Sequence, residues 1–454
     1  MRRGILVAML LCAVAPAQML KVAPGGRHLQ YADGRPFLYL GDTAWELFHR
    51  LRREEADLYL RNRAAKGFTV IQAVVLAERD GLTVPNPYGH LPLVERDPAR
   101  PVEGYFEHVD YIVNRAAELK LVVGMLPTWG SYWTQGNPKA PPVFNVENAR
   151  TFGRFLGARY KAKPVIWILG GDQNVRTPGE RAVIDAMAEG LAEGDGGAHL
   201  KTFHPRGPGM SSLQLRDAKW LDFHMSQSSH GARDHDTGLY IEHDRALHPP
   251  KPTLDGEPRY EMIPVGFYYA NFSRLDRMDD FDARTAAYWA MLAGAAGHTY
   301  GHNSVWQMWK PGVPSVINAD IPWMQAIDHP GAFQMGHLRR LFESRPWQTL
   351  VPDQSIIRSG TVTGPGTIRA ARASDGRFAF IYSPRGEPFT VDRAIIRGAR
   401  VREIWWDPRY GVAHHVHTSD NQALQTYVPP TAGRGQDWLL ILEDEAAGFA
   451  LPVP

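Results

Sequence analysis

Two carboxylates stand directly after short apolar runs that end in glycine. Asp172 closes Pro164-Val-Ile-Trp-Ile-Leu-Gly-Gly-Asp172, and Glu257 closes Lys251-Pro-Thr-Leu-Asp-Gly-Glu257. Two carboxyl groups facing one cavity can cleave a glycosidic bond. One protonates the leaving oxygen, and the other attacks the anomeric carbon or activates water. A single carboxylate after a strand is more often a helix cap or a salt-bridged loop residue. Two of them, each at a strand end and beside a long loop, favour catalysis. Asp255 and Glu261 are rivals to Glu257 for the second role. For an acid role the pKa of Asp172 must be raised, and burial beside Trp167 or loop aromatics is the expected cause.

Other side chains in the same stretches suit sugar recognition. Asp42 follows the first apolar run and can either bind a sugar hydroxyl or be purely structural, Gln72 interrupts the second run, and His204 and His224 can hydrogen-bond a polar substrate. Trp45, Trp129, Tyr260 and Trp306, with Phe267 and Tyr268, put aromatic faces into the loops, where they can stack on sugar C–H faces. A metal reading fares worse. His224, His230 and His235 share one region, and His298 and His302 are four apart, but neither set has a zinc spacing. No metal or other cofactor is therefore expected. Gly-x-Ser-x-Gly is absent too, which argues against a serine hydrolase of the strand–elbow kind.

Those residues need elements to hold them. Strand-like runs occur at 37–41, 68–76, 121–126, 164–170, 200–203, 221–225, 251–257 and 298–301, mostly alternating with helical patterns. Tyr105, Val109, Ile112, Val113 and Ala116 make one helix face, and Asn145 can cap a helix carrying Phe152, Phe155 and Leu156. Helix-to-strand joints are tight, as at Gly67-Phe68 and Lys120-Leu121. Strand-to-helix segments are long, as at 77–104, 127–144, 227–250 and 257–282. That asymmetry predicts an α/β chain, a (β/α)8 TIM barrel with its long loops on the catalytic face. No Gly-rich phosphate fingerprint supports an open doubly wound sheet.

From about residue 349 the pattern changes to short strands separated by Gly, Pro and Asp turns, which predicts a small antiparallel β-sandwich. The expected divisions are 1–17, 18–348 and 349–454. The first has Arg2 and Arg3, an apolar run from Gly4 to Val14 and Ala15-Pro16-Ala17, the three parts of a secretory signal. A periplasmic or extracellular location follows as an expectation. The apolar run is too short to span a bilayer, and Leu11 before Cys12 is a poor lipoprotein signal, so no membrane anchor is expected. Cys12 is the only cysteine, which leaves the remainder without disulfide or thiol chemistry. With 50 basic and 48 acidic side chains, the net charge of +2 makes no electrostatic case for nucleic acid.

Four stretches together resemble the apiosidase-like glycoside hydrolases (glycoside hydrolase family 140). They are Gly41-Asp-Thr-Ala-Trp45, Pro127-Thr-Trp-Gly130, Ile168-Leu-Gly-Gly-Asp172 and Asp255-Gly-Glu-Pro258. The C-terminal part is similar to the β-sandwich that this family carries under the name of a collagen-binding domain. The resemblance implies a barrel that acts on pectic side chains of plant cell walls and releases apiose. It also implies an acid/base Asp after the fourth strand and a nucleophilic Glu after the seventh. By position these are Asp172 and Glu257. Related barrel glycosidases carry Asn-Glu after the fourth strand, where this chain has the shorter Gly-Asp. Retention of configuration needs carboxyls about 5–5.5 Å apart, and inversion about 6.5–9.5 Å. Two other classes remain open: a non-catalytic carbohydrate-binding protein on a degenerate barrel, and a metal-dependent hydrolase. The expected partner is an oligosaccharide or polysaccharide.

Overall fold

Apolar residues at every second position of the strand runs can face a central core while their neighbours face helices. In the computed structural model, which describes residues 19–135 and 142–453, eight strands do this. They are β1 (Tyr39–Thr43), β2 (Val70–Leu76), β3 (Val122–Thr128), β4 (Val165–Gly170), β5 (Lys201–His204), β6 (His224–Gln227), β7 (Thr253–Asp255) and β8 (Gly297–Tyr300). Each except β5 pairs in parallel with the next, and β8 pairs with β1. The Asp222 N–H donates to Lys201 O at 2.9 Å and Thr202 Oγ1 to Phe223 O at 2.7 Å, which joins β5 to the approach of β6 and closes the barrel. A two-residue strand, Gly209–Met210, adds antiparallel to β6. The fold class is the TIM barrel read from the loop asymmetry. The segment expected to be a secretory leader, residues 1–17 with Cys12, lies outside the described residues.

The inward set includes Tyr39, Val70, Val74, Val122, Leu126, Ile166, Ile168, Met225 and Leu254. The outward set, packed on helices, includes Ile71, Ala73, Val75, Val123, Met125, Trp167 and Leu169. This parity decides where every polar strand residue points. The ring of helices is α1 (Arg53–Ala65), α2 (Glu103–Glu118), α3 (Val146–Tyr160), α4 (Pro178–Asp195), α5 (Ser212–Leu215), α6 (Gly238–Arg245), α7 (Asp280–Leu292) and α8 (Pro330–Glu343). Asn145 caps α3, accepting from the Asn148 N–H at 2.9 Å. Only four residues serve as α5, because β5 and β6 are joined by a short, proline-containing segment.

Beyond α8 the chain forms a six-stranded and a three-stranded antiparallel sheet. The strand Phe378–Ser383 shows how they sit. Ala379 and Ile381 face the smaller sheet, whereas Phe378, Phe380 and Tyr382 face α7 and α8. Both faces of the six-stranded sheet are thus buried, one of them against the barrel. Tyr382 stacks on Tyr288 at 4.7 Å, and the Trp289 indole N–H donates to Thr367 O at 2.8 Å. Arg284 of α7, 1% exposed, pairs with Asp437 of the sandwich at 2.7 Å. Removing one partner of such a pair strands the other charge in a dry interface, at a cost of about 3–5 kcal/mol. Arg284→Ala is therefore expected to lower the urea midpoint of unfolding, with no change in turnover once folded. An unchanged midpoint would show that the pair does not hold the two parts together.

Candidate active site

Asp172 reaches the top of the barrel through an unusual turn. Gly170, Gly171 and Asp172 have φ of +99°, +81° and +59°, three left-handed residues in succession. A side chain on Gly170 would lie 2.3 Å from His204 O, and one on Gly171 would lie 2.9 Å from Gly130 N, so glycine is required by both conformation and space. Aspartate is among the few other residues that adopt this region readily. The turn leaves the Asp172 N–H donating to His204 Nδ1 at 3.2 Å. In a neutral ring the proton then sits on Nε2. That nitrogen lies 2.9 Å from Glu257 Oε2, a close polar contact without good hydrogen-bond alignment. Glu257, 7% exposed, also holds His230 Nε2 at 3.0 Å through Oε1. One imidazole therefore stands between the two carboxylate-bearing loops.

The two carboxyls are pushed in opposite directions. Burial raises the pKa of Asp172, the negative charge of Glu257 raises it further, and it reaches about 6. Burial also acts to raise that of Glu257, but His204 and His230 outweigh it and hold the carboxyl well below the ordinary range. An environment that separates two such pKa values separates acid from base. A third carboxyl, Glu78, faces the same cavity from the loop after β2. Burial, opposed by Arg79 and reinforced by the neighbouring carboxylates, brings it to about 7.

The cavity has a volume of about 190 Å³, at the small end for a ligand site. Trp45, Trp129, Tyr260 and Trp306 line it, as do Phe267 and Tyr268. Trp45 and Trp129 tilt against each other at 5.7 Å, and the Tyr268 hydroxyl is fixed by Ser229 Oγ at 2.8 Å.

Several residues expected here are elsewhere, and parity is the reason. Asp42 alternates outward from Gly41 and Thr43, and binds Tyr59 and Arg63 of α1, the latter at 2.6 Å. It is a structural carboxylate. His224 opens β6 at the barrel's closed end and points outward, while Met225 and Gln227 point inward. Gln72 points inward but one layer too deep. It accepts from the Tyr39 hydroxyl at 2.9 Å and donates to Gly256 O at 3.0 Å, bracing the backbone beside Glu257. His204 lies beneath the cavity rather than in its wall. Trp167 faces outward and donates to Asp195 at 2.9 Å, so it does not cover Asp172.

The rivals to Glu257 are accounted for as well. Asp255 accepts from Ser228 Oγ at 2.5 Å, and Glu261 holds the Tyr300 hydroxyl at 2.6 Å and the Gly331 N–H at 3.1 Å. Glu78 and Gln227 also line the cavity, without a sequence motif that marks them. Gln227 is readable from β6 parity once Met225 is placed inside, whereas nothing local marks Glu78. His230, which the nearby His224 and His235 make look like part of a metal set, instead holds Glu257. Among the described residues no cluster of three or more His, Cys, Asp or Glu could hold a metal ion.

Two family models divide the chain. "Apiosidase-like, catalytic domain" matches residues 23–349, and "Putative collagen-binding domain of a collagenase" matches residues 351–443. The chain belongs to the apiosidase-like family. Solved relatives of the apiosidase-like enzyme agree. A "Glycoside hydrolase" is 35% identical, with a TM-score of 0.85 over 94% of this chain and 97% of that one. A glycoside hydrolase family 5 protein from Bacteroides vulgatus is 32% identical, with a TM-score of 0.86 over 96% and 95%. Another Bacteroides vulgatus protein shares the fold at 15% identity and a TM-score of 0.68. No curated relative matches. The apiosidase-like enzyme is thus a glycoside hydrolase built on a TIM barrel.

Proposed function

We propose that this glycoside hydrolase cleaves a pectic glycan of plant cell walls, with Asp172 as general acid/base and Glu257 as nucleophile. The observation that carries the assignment is that Asp172 and Glu257 line one cavity from opposite sides of His204, in surroundings that raise the pKa of the first and lower that of the second. Asp172, kept protonated by burial, gives its proton to the leaving oxygen. Glu257, kept ionised by His204 and His230, attacks the anomeric carbon, and the bond to the leaving sugar breaks. Asp172, now ionised, then takes a proton from water. That water cleaves the glycosyl–Glu257 ester and restores both carboxyls. The aromatic walls bind the sugar's C–H faces and exclude bulk water. A cavity of about 190 Å³ suits one sugar unit at a chain end rather than a stretch of chain. The family's name supports apiose as that sugar. The leader at residues 1–17 supports work outside the cytoplasm, where such polymers occur.

A screen of pectic and hemicellulosic fragments, with products identified by mass spectrometry, tests this reading. Release of one monosaccharide from a pectic fragment is expected, with retention visible in the initial anomer by NMR. Release only from hemicellulosic fragments would overturn the pectic assignment, and no release at all would overturn the hydrolytic role. Inversion would remove the nucleophile role from Glu257.

A further inference from the structure

A second cavity opens where the sandwich meets the barrel rim. Its volume is about 640 Å³, far larger than the catalytic cavity. Two rings stand at its lips, Phe333 of α8 at 46% exposure and Tyr410 of the sandwich at 68%. Single exposed aromatics are ordinary, but two facing one groove from different domains are not explained by either core. The groove walls carry three carboxylates (Asp279, Asp280, Asp328) and three guanidiniums (Arg284, Arg409, Arg434). They are held in place by one another and by neighbours. Arg434 binds Asp279 at 2.5 and 3.0 Å, Arg284 binds Asp280 at 2.9 Å, and Arg409 binds Asp407 at 2.7 Å.

The groove lies on the catalytic face, because α7 and α8 begin in it with Asp280 and Pro330. Only a thin ridge separates it from the cavity. Ile263 lines the cavity and its carbonyl accepts from the Met278 N–H at 2.9 Å, one residue before Asp279 of the groove. Tyr260 lines the cavity too, and the next residue, Glu261, holds Gly331, the neighbour of Pro330. Adjacent strands lie about 5 Å apart, so a few linked sugar units can cross.

We infer that this groove binds the body of a polysaccharide whose terminal sugar enters the catalytic cavity. The two rings stack on sugar faces, and the fixed groups at the groove surface, Asp279, Asp328, Arg409 and Arg434, accept from and donate to hydroxyls. Balanced charge favours a neutral glycan over a polyanion. The sandwich thereby contributes to substrate recognition. The second half of the inference, the shared chain, rests on the hydrolase reading.

Affinity electrophoresis in gels containing pectic galactan, polygalacturonate or collagen tests it. Wild type and Glu257→Gln are expected to be retarded by galactan, with little change on added salt. Phe333→Ala/Tyr410→Ala is expected to bind galactan at least fivefold more weakly. It should keep wild-type turnover on the shortest fragment cleaved, and lose efficiency on the polymer through KM. Both rings are at the surface, so circular dichroism is expected to be unchanged. Wild-type retardation of the double variant would overturn the inference, as would retardation by collagen or polygalacturonate alone, or no retardation of wild type. Full turnover by Glu257→Gln would instead end the hydrolase reading and leave the binding result standing.

Discussion

Glu257→Gln is expected to lower kcat by on the order of 10⁴-fold or more on every cleaved glycan, with the fold retained. The amide keeps the shape but cannot form the covalent intermediate. His204 and His230 remain in place, and both contact the position the carboxylate leaves. The substitution also removes the negative charge that helps raise Asp172. The Asp172 pKa should therefore fall from about 6 in this variant, which a carboxyl NMR titration can follow. Turnover within tenfold of wild type, by a protein with unchanged circular dichroism, would remove Glu257 from the reaction.

Asp172→Asn is expected to cost roughly 10²–10⁴-fold in kcat on natural glycans, the usual range for one general acid. The loss should be much smaller with a nitrophenyl leaving group, which needs no proton. The pH profile carries a second signature. Asp172 must be protonated and Glu257 ionised, so wild-type activity falls as pH rises past about 6, and that limb is absent in the variant. Wild-type stability should fall in the same direction. A carboxyl whose folded pKa is raised contributes most while protonated, and that contribution is lost as pH rises through the folded value. Asp172→Asn is thus expected to melt higher than wild type above about pH 6 and equally below about pH 4. Equal losses on natural and nitrophenyl glycosides would show that Asp172 positions substrate rather than transferring a proton.

Apiosidase-like enzymes make a good case for reading a barrel from loop lengths. Tight joints such as Lys120-Leu121 and long segments such as 257–282 reflect two different ends of one architecture, and the ends differ because only one carries chemistry. The acids after β4 and β7 were legible because each closes a short apolar run that ends in glycine, although only Gly170 and Gly171 are required by the backbone conformation. Asp42 and His224 looked equivalent to them on paper. Both sit on strands, where a shift of one residue reverses the side a side chain faces, and neither run has enough alternation to show its parity.

Local sequence by itself determined the alternation of strands and helices, the change to a sandwich near residue 349, and the two strand-end carboxylates. Each follows from short-range physics: periodicity, turn residues and the conformations that glycine permits. Only the tertiary structure decided that His204 stands between Asp172 and Glu257, that Glu78 joins them, and that Glu261 braces α8 instead. These relations join residues tens of positions apart through barrel closure, and the pKa separation arises from burial and charge that exist only once the loops have met. The opposed acids are a property of the folded rim, built from residues that the sequence could name but not arrange.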